Sequence, residues 1–393
     1  FTQPLLIGGA TTSRTHTALK IAPQYENGVT VYVPDASRAA SVVSRLLSAE
    51  KIKVAREIAD EYQALREAHA ARSQGTRLVT LEEARANAFV LDATRIPPAP
   101  KLPGLHEIRF DLAQIAELID WTPFFHSWDL RGRYPAILTS ADAGKAASQL
   151  YADAQNMLEV LIREAWLDAK GVFALLPASR AGDDIVFYRD ATRAQIEGRI
   201  VGLRQQHAQP SGRRNLALAD FVAEQDDWAG LFAVTAGLGI ERQLAVFAAN
   251  QDDYNAILLK ALADRLVEAA AEWLHRAVRT HYWGYAPEEK LDGEALIRES
   301  FVGIRPAPGY PACPDHLGKR EIFRLLDVTR RIGMGLTETC AMTPAASVAG
   351  FYFARPEACY FAIPKIGQDQ LSDWATRHQM PEAEAKKWLA NLL

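Results

Sequence analysis

A ten-residue segment at positions 305–314 reads RPAPGYPACP, with four prolines and one glycine. Proline fixes φ and lacks a backbone N–H, so this segment is neither the interior of a helix nor a central strand. The pattern predicts a stiff loop that holds backbone groups where a ligand can meet them. Arg305 adds planar donors suited to a carboxylate, and Tyr310 adds an aromatic face. Composition alone favours a plainer role, a rigid connector whose arginine makes a structural salt bridge.

Length, charge and cysteine content narrow the class of protein. A chain of 393 residues favours two domains, and a net charge of −4 argues against nucleic-acid partners and against a basic membrane-binding patch. Cys313, Cys340 and Cys359 have no C-x-x-C spacing, which argues against a disulfide framework and a zinc site. The sequence shows no leader and no apolar run long enough to span a membrane, so we expect a cytoplasmic protein.

The first 72 residues alternate between strand and helix, which is typical of a parallel α/β sheet. The predicted elements are strands at residues 4–7 and 29–33 and helices at residues 15–21, 40–47 and 54–71. Two strands and three helices cannot close a doubly wound domain. Residues 1–72 are therefore predicted to be the C-terminal part of a larger Rossmann-like unit, which makes the chain a fragment.

A second domain is predicted over residues 73–393. Residues 96–104 hold four prolines and one glycine and predict a semi-rigid spacer, whereas residues 79–85 look like a capped helix of this domain. Further on, we predict strands at residues 171–176, 184–188 and 232–236 and within 190–203, and a long helix at residues 251–282. This mixed order favours an α+β domain with a mainly antiparallel sheet and flanking helices.

The predicted helix at residues 251–282 has two contrasting faces. At about 100° per residue, four apolar residues share one side and are predicted to pack inward: Leu262, Leu266, Ala269 and Trp273. Asp264, Glu268 and Glu272 fall on the opposite side. Such a stripe of acidic residues is usually a solvated helix face.

Several motifs occur together in the order typical of one family. They are residues 120–125, 183–184, 188–190, 218–221, 252–255, 260–265, 282–287, 305–314 and 336–338. With these motifs the chain resembles the C-terminal part of cobalamin-dependent methionine synthase, and the similarity runs through nearly the whole sequence. Residues 1–72 resemble the end of the cobalamin-binding domain of that family, and residues 73–393 resemble its activation domain, which binds S-adenosylmethionine.

The resemblance implies cobalamin contacts in the first part of the chain. Gly8 and Gly9 would give room for the nucleotide tail of cobalamin, and Ala36 would lie against that tail; a plain strand-to-helix turn remains an alternative for Gly8. None of the nine histidines has an aspartate two positions before it, so the family's cobalt-ligating histidine is absent from this sequence. The zinc and homocysteine module at the N-terminus of the family is absent as well.

The resemblance also implies a site for S-adenosylmethionine. Asp120 would hold the ammonium of the ligand, although its sequence context also suits a helix cap. Arg305 would bind the carboxylate through two parallel hydrogen bonds. The backbone of Ala307 would reach the ligand, and Tyr310 would lie close to the methyl group that is transferred.

Two further ligand residues, Tyr360 and Phe361, are expected on a late strand. The family usually has two tyrosines there, so Phe361 keeps the ring and lacks a hydroxyl. Thr343 and Ala345 also depart from the family pattern, which has tryptophan and glycine at these positions. These departures bear on the affinity for the ligand.

Two acidic residues on the long helix match positions that face the cobalamin-binding domain in the family. Asp264 and Glu268 would partner the cobalt-ligating histidine after it leaves the metal, with the solvated stripe as the alternative. Glu272 is assigned to solvent.

The implied function is reactivation of methionine synthase, the enzyme that transfers methyl from methyltetrahydrofolate to homocysteine. Flavodoxin or a related flavoprotein would supply one electron to cob(II)alamin, and S-adenosylmethionine would then supply the methyl group that gives methylcobalamin. Catalysis would consist mainly of positioning, with water excluded. One alternative is a non-catalytic docking module for the cobalamin-binding domain and flavodoxin. A free-standing methyltransferase is disfavoured, since residues 73–393 lack the usual glycine-rich Rossmann loop.

Overall fold

The computed structural model describes residues 3–8, 14–25, 27–33, 36–48, 51–74, 77–92 and 95–393. The chain divides into two compact units, Phe1–Leu78 and Val79–Leu393. The sequence-based boundary between residues 72 and 73 lies slightly before this division. Among the described residues, no helix combines the length and the hydropathy needed to cross a membrane.

The first unit contains a small parallel sheet. Strand β1 (Leu5–Gly8) pairs with β2 (Thr30–Val33), and Leu5 lies opposite Thr30. The helices of this unit are α1 (Arg14–His16), which continues into a π-helical turn (Thr17–Ile21), α2 (Ala36–Leu47) and α3 (Lys51–Gln74). Buried aliphatic side chains from β2, α2 and α3 form its core: Val31, Val33, Leu46 and Val54.

The second unit is built on an antiparallel sheet of six strands. These are β3 (Gly104–Arg109), β4 (Asp168–Ala181), β5 (Asp184–Tyr188), β6 (Ile196–Ile200), β7 (Asp227–Leu238) and β10 (Ser347–Tyr352). The order is β10-β7-β4-β5-β6, and β3 pairs with the first half of β4. A separate hairpin joins β8 (Gly335–Leu336) to β9 (Met342–Thr343). The predicted α+β fold with a mainly antiparallel sheet is confirmed.

Eleven α-helices of the described residues surround this sheet. They are α4 (Leu81–Ala86), α5 (Leu112–Ala116), α6 (Trp121–Ser127), α7 (Gly144–Arg163), α8 (Ile240–Ala249), α9 (Asp253–Ala277), α10 (Gly293–Ile297), α11 (Gly318–Leu326), α12 (Val328–Ile332), α13 (Gln368–Arg377) and α14 (Glu382–Trp388). Helix α4 begins with a capping box, because Thr80 and Glu83 bond each other's backbone N–H groups. Helix α9 continues into a π-helical turn (Val278–Tyr282), so the long predicted helix is confirmed.

Both faces of the central strands are buried. Phe173 of β4 and Phe232 of β7 pack in one core with α7 and α9, whereas Val172 and Ala233 pack in a second core with α11 and α12. Successive side chains of a strand point to opposite faces, so a sheet covered on both sides reads as an unbroken apolar run. The predicted strands at residues 171–176 and 232–236 are such apolar runs, and they lie within the longer strands β4 and β7.

Helix α9 packs against the sheet through its apolar face. Leu262, Leu266 and Ala269 are buried as predicted, and Trp273 is half-buried against the same core. The acidic face of α9 therefore turns away from the sheet, towards the segment that follows α10.

Candidate functional site

The proline-rich loop at residues 305–314 lies along the edge of the sheet. Ile304 and Phe353 exchange backbone hydrogen bonds of 3.0 and 3.1 Å, and the N–H of Phe351 donates to the carbonyl of Pro306 over 2.9 Å. The loop thus starts as an extension of the sheet beside β10. Its prolines can only accept hydrogen bonds, which ends the pairing and turns the chain away.

The close approach of this loop depends on a glycine in β10. A Cβ atom at Gly350 would lie 2.4 Å from the carbonyl oxygen of Pro306. No side chain fits at that distance, and the ring of Phe232 on β7 lies 2.9 Å from the same point, so both the loop and the neighbouring strand require glycine at position 350.

A cavity of about 410 Å³ lies between this loop and α9. Its lining residues are Glu268, Glu299, Arg305, Pro306, Ala307, Tyr310, Pro311, Ala312, Val348, Tyr360 and Phe361. Five predicted ligand residues meet here: Arg305, Ala307, Tyr310, Tyr360 and Phe361. The volume falls within the range of small-molecule sites, roughly 300–1,000 Å³.

Asp120, the sixth predicted ligand residue, has a structural role in this arrangement. It is the N-cap of α6, and its Oδ1 accepts the backbone N–H of Thr122 at 2.9 Å. Within the described part of the chain, Asp120 is not among the residues that line the cavity. The alternative suggested by its sequence context, a helix cap, is thus what the structure contains.

Tyr360 and Phe361 lie in an irregular segment after β10, so the expectation of a late strand at this point is wrong. Prolines at positions 356 and 364 flank the segment, and a proline cannot donate to a strand ladder. The segment is held instead by single contacts, among them a hydrogen bond of 2.8 Å from the N–H of Ile363 to the carbonyl of Pro311. The backbone N–H of Arg305 donates to the hydroxyl of Tyr360 over 3.1 Å, which ties the segment to the loop.

The guanidinium of Arg305 is held by carboxylates of α9. Its Nη2 donates to Oε2 of Glu272 over 3.1 Å, and its Nη1 lies 3.9 Å from Oε2 of Glu268. Burial opposes the charge, yet Glu272 and Glu268 together hold the pKa of Arg305 above its usual value. The side chain of Glu272 is only 13% exposed, so its assignment to solvent is wrong. The segment that packs over α9 covers this turn of the acidic face.

A buried ion pair supports Glu272 from the other side. Arg279, which is fully buried, donates two hydrogen bonds of 2.8 and 2.7 Å to Glu289. Its Nη1 lies 3.8 Å from Oε1 of Glu272. Charges therefore alternate along a line, from Glu289 through Arg279 and Glu272 to Arg305. Bidentate arginine–carboxylate pairs fix geometry as well as charge.

Glu268 borders two cavities at once. The hydroxyl of Tyr310 donates to its Oε1 over 3.4 Å, and burial together with Glu268 raises the pKa of Tyr310. A second cavity, of about 280 Å³, shares Glu268 and Tyr310 with the first and is also lined by Asp264, His316 and Lys319. The structure thus brings the two predicted docking residues, Asp264 and Glu268, to a single opening.

Asp315 follows the loop directly and is buried. Its Oδ1 accepts the backbone N–H of Leu317 at 2.7 Å, and Nε2 of His378 lies 3.8 Å from its Oδ2. Burial raises the pKa of Asp315 to about 7, against the lowering influence of the Leu317 N–H. Burial and the nearby Arg377 lower the pKa of His378 to about 4.

In the first unit, the predicted cobalamin residues follow the two strands. Gly8 is the last residue of β1, and Ala36 begins α2 after β2; Gly9 lies outside the described residues. Because β1 and β2 are parallel, Gly8 at the end of β1 and Ala36 after β2 lie at the same, carboxyl-terminal edge of the sheet. Open α/β sheets bind ligands at that edge.

The fold and cavity define an α+β ligand-binding domain, and comparison with known proteins identifies its family. The activation domain of vitamin B12-dependent methionine synthase matches residues 111–379. A crystal structure described as the MetH reactivation domain bound to AdoHcy is 48% identical, with a TM-score of 0.79. That match covers 81% of this chain and 99% of the other. This chain belongs to the family of methionine synthase activation domains, and the predicted family is confirmed.

Sequence reasoning missed two carboxylates at this site. Glu272 lies one helical turn after Glu268, and the acidic stripe was the signal that could have pointed to it. Glu299 lines the cavity from the turn after α10, and its φ of 54° lies in the left-handed region. No motif or periodicity marks Glu299, because a single charged residue in a loop carries no pattern.

Proposed function

We propose that this chain binds S-adenosylmethionine in the cavity beside residues 305–314 and supports reductive methylation of cobalamin within a methionine synthase. The observation that carries the proposal is the meeting of Arg305, Tyr310 and Tyr360 at one cavity of suitable size. The MetH reactivation domain that is 48% identical to this chain was crystallised with AdoHcy, the demethylated form of the same ligand.

The residues of the cavity fit the separate groups of this ligand. Arg305 carries a guanidinium with five N–H donors, of which one is committed to Glu272, so others remain for a carboxylate. Tyr310 and Phe361 offer aromatic faces, and the backbone of Ala307 lies at the wall. Asp120 is not among the described lining residues; by the family resemblance it would take the ligand ammonium from outside the lining through its Oδ2, since the N–H of Thr122 is bonded to Oδ1.

The chemistry asked of the chain is positioning. When bound, cobalamin supplies the metal nucleophile that accepts the methyl group. Residues 305–314 would hold the sulfonium in line and exclude water, and no general base is required because the leaving group is a neutral thioether. Asp264 and Glu268 would face the cobalamin-binding domain, and Gly8, Gly9 and Ala36 would contact the nucleotide tail. Family membership supports flavodoxin or a related flavoprotein as the electron donor.

Calorimetric titration of S-adenosylmethionine into the chain and its Arg305→Ala variant tests the proposal. Loss of a charge-assisted, two-point contact predicts an affinity lower by about thirtyfold or more. Arg298→Ala is the matched control, because Arg298 is exposed and its salt bridge within the described residues is with Glu294 on α10. Undiminished affinity in Arg305→Ala would overturn the proposal.

A non-catalytic docking module is the second candidate. One observation favours it, namely that carboxylates of α9 already hold Arg305. A methyl-transfer assay with photoreduced cobalamin separates the two candidates. Formation of methylated cobalamin from S-adenosylmethionine rules out the docking module.

A further inference from the structure

We infer that the cavity selects the positively charged sulfonium of S-adenosylmethionine over the neutral thioether of its demethylated product, through the carboxylates of Glu268 and Glu299. The inference rests on the proposed function. Selection by these two carboxylates would favour binding of the methyl donor, S-adenosylmethionine, and release of the product, S-adenosylhomocysteine.

The charges around the cavity do not balance. Of the described residues that line it, three are charged: Glu268, Glu299 and Arg305. The positive charge of Arg305 is already offset by Glu272 at 3.1 Å, outside the lining. Two carboxylates are therefore left over, and a ligand that enters the cavity meets a negative potential.

Glu268 lies where the transferred methyl group is expected. Its Oε1 accepts a hydrogen bond from the hydroxyl of Tyr310 at 3.4 Å. Its Oε2 is 3.9 Å from Nη1 of Arg305, beyond hydrogen-bond distance. Glu268 therefore borders both the ring of Tyr310 and the group that would receive the ligand carboxylate.

Glu299 reaches the cavity from another part of the chain, the turn after α10. Within the described residues it makes no salt bridge, so its charge is not neutralised by a direct contact. Burial, and to a lesser extent Glu272, raise the pKa of Glu299, whereas Arg305 lowers it. Its backbone has a φ of 54°, a conformation that favours glycine. A carboxylate is thus present at a position where the backbone alone would prefer a residue without a side chain.

Aromatic rings add to the preference for a cation. Tyr310, Tyr360 and Phe361 all line the cavity, and the face of an aromatic ring attracts positive charge. When the methyl group leaves as CH₃⁺, the electron pair of the broken S–C bond stays on sulfur and the product becomes neutral. The donor and the product share every other group, so the carboxylates and rings distinguish them by this single charge.

The test compares two ligands in the same variants. S-adenosylmethionine and S-adenosylhomocysteine are titrated calorimetrically into the whole chain and into Glu268→Gln and Glu299→Gln, which keep side-chain shape and remove charge. Each substitution is expected to lower the affinity for S-adenosylmethionine three- to tenfold. The affinity for S-adenosylhomocysteine is expected to change less than twofold. The ratio of the two affinities is the decisive quantity, because a general loss of structure affects both ligands alike.

Glu294→Gln is the matched control. Glu294 lies on α10, is exposed, pairs with Arg298 over 3.1 Å and is not among the described residues that line the cavity, so the affinity ratio is expected to stay near that of the unmodified chain. Titrations at increasing salt concentration need no variant. Salt is expected to lower the affinity for S-adenosylmethionine more than the affinity for S-adenosylhomocysteine, because screening weakens the attraction between the carboxylates and the charged sulfonium.

Three results are decisive. A parallel loss for both ligands in Glu268→Gln and Glu299→Gln, or no change in either, overturns the selection mechanism and leaves the proposed function standing. Equal salt dependence of the two ligands in the unmodified chain overturns it as well. Absence of saturable binding of both ligands to the unmodified chain overturns the proposed function itself.

Discussion

Nη2 of Arg305 lies 3.1 Å from Oε2 of Glu272. This hydrogen-bonded ion pair joins the proline-rich loop to α9. The pair is consistent with both interpretations of the loop, since the arginine of a structural salt bridge also borders the cavity proposed to bind the ligand. Glu272 is itself backed by the buried Arg279 at 3.8 Å. The orientation of the guanidinium that we propose binds the ligand therefore depends on Glu272, which is not among the described residues that line the cavity.

Glu272→Gln is expected to loosen Arg305 without changing the shape of the site. Arg305 would then shift towards Glu268, and affinity for S-adenosylmethionine should fall about three- to tenfold. Affinity for 5′-methylthioadenosine, which lacks the carboxylate, should stay nearly constant in the same calorimetric titration. Equal losses for both ligands would contradict a positioning role; Glu294→Gln, in an exposed helical pair with Arg298, serves as the control.

Gly350→Ala is expected to destabilise the second unit by roughly 1–3 kcal/mol, because the new Cβ would press on the carbonyl of Pro306. Thermal unfolding and ligand titration should both respond, since the same contact positions the loop. Gly293→Ala is a suitable comparison, with nothing within 4 Å of its added Cβ. A melting temperature equal to that of Gly293→Ala would show that the loop yields without cost.

Asp315→Asn is expected to change how stability depends on pH. The carboxyl of Asp315 ionises near pH 7 in the folded chain and near 3.8 when unfolded, so the folded state keeps a proton that the unfolded state loses between these values. Stability contributed by this group is thus complete below pH 3.8 and is lost as the pH rises to 7. The asparagine variant should be more stable than the unmodified chain by roughly 2 kcal/mol at pH 8 and equal to it near pH 4.

Urea unfolding of Asp315→Asn across this pH range is the measurement. His378, whose pKa is lowered, contributes the opposite pH dependence in both proteins. Asp226→Asn, at an exposed aspartate, should give a curve parallel to that of the unmodified chain. A parallel curve for Asp315→Asn as well would refute the role of its burial.

Arg204→Met is expected to cost roughly 3–5 kcal/mol, because it removes the buried cation that two buried carboxylates share and leaves each with one other, more exposed arginine. Arg204 is fully buried and donates to Asp183 and Asp220 over 2.7 Å. Arg189→Met removes an exposed pair with Glu197 and should cost less than about 1 kcal/mol. Free energies of unfolding from urea titrations compare the two; similar losses would show that burial does not set the cost.

Local sequence rules were sufficient where one residue type dictates the backbone. Prolines marked the loop at residues 305–314, and apolar spacing located the inner face of α9 through Leu262 and Leu266. Strands β3 and β10 escaped prediction. Strand β3 starts directly after a proline-rich run. Strand β10 contains Gly350, and glycine has a low strand propensity; its presence is explained by close contacts that the sequence does not show.

The site residues that the sequence did not reveal were missed for a different reason. Helical periodicity assigns Glu272 to the face opposite Leu266, but it does not show that a distant segment covers that face. The same limit applies to Tyr360, whose neighbours in sequence do not reveal its hydrogen bond to the backbone of Arg305. The prediction of ligand residues came from the family resemblance, and the geometry of these residues depends on long-range packing.

The position of the proline-rich loop beside β10 has a consequence for solubility. Strand β10 is the outermost strand on its side of the sheet, and the loop takes up hydrogen-bonding groups at its exposed edge. An uncovered edge strand is a template for pairing with a second molecule, and prolines are among the residues that block such growth. Variants that detach this loop would therefore lose the ligand cavity and become prone to aggregation in the same event.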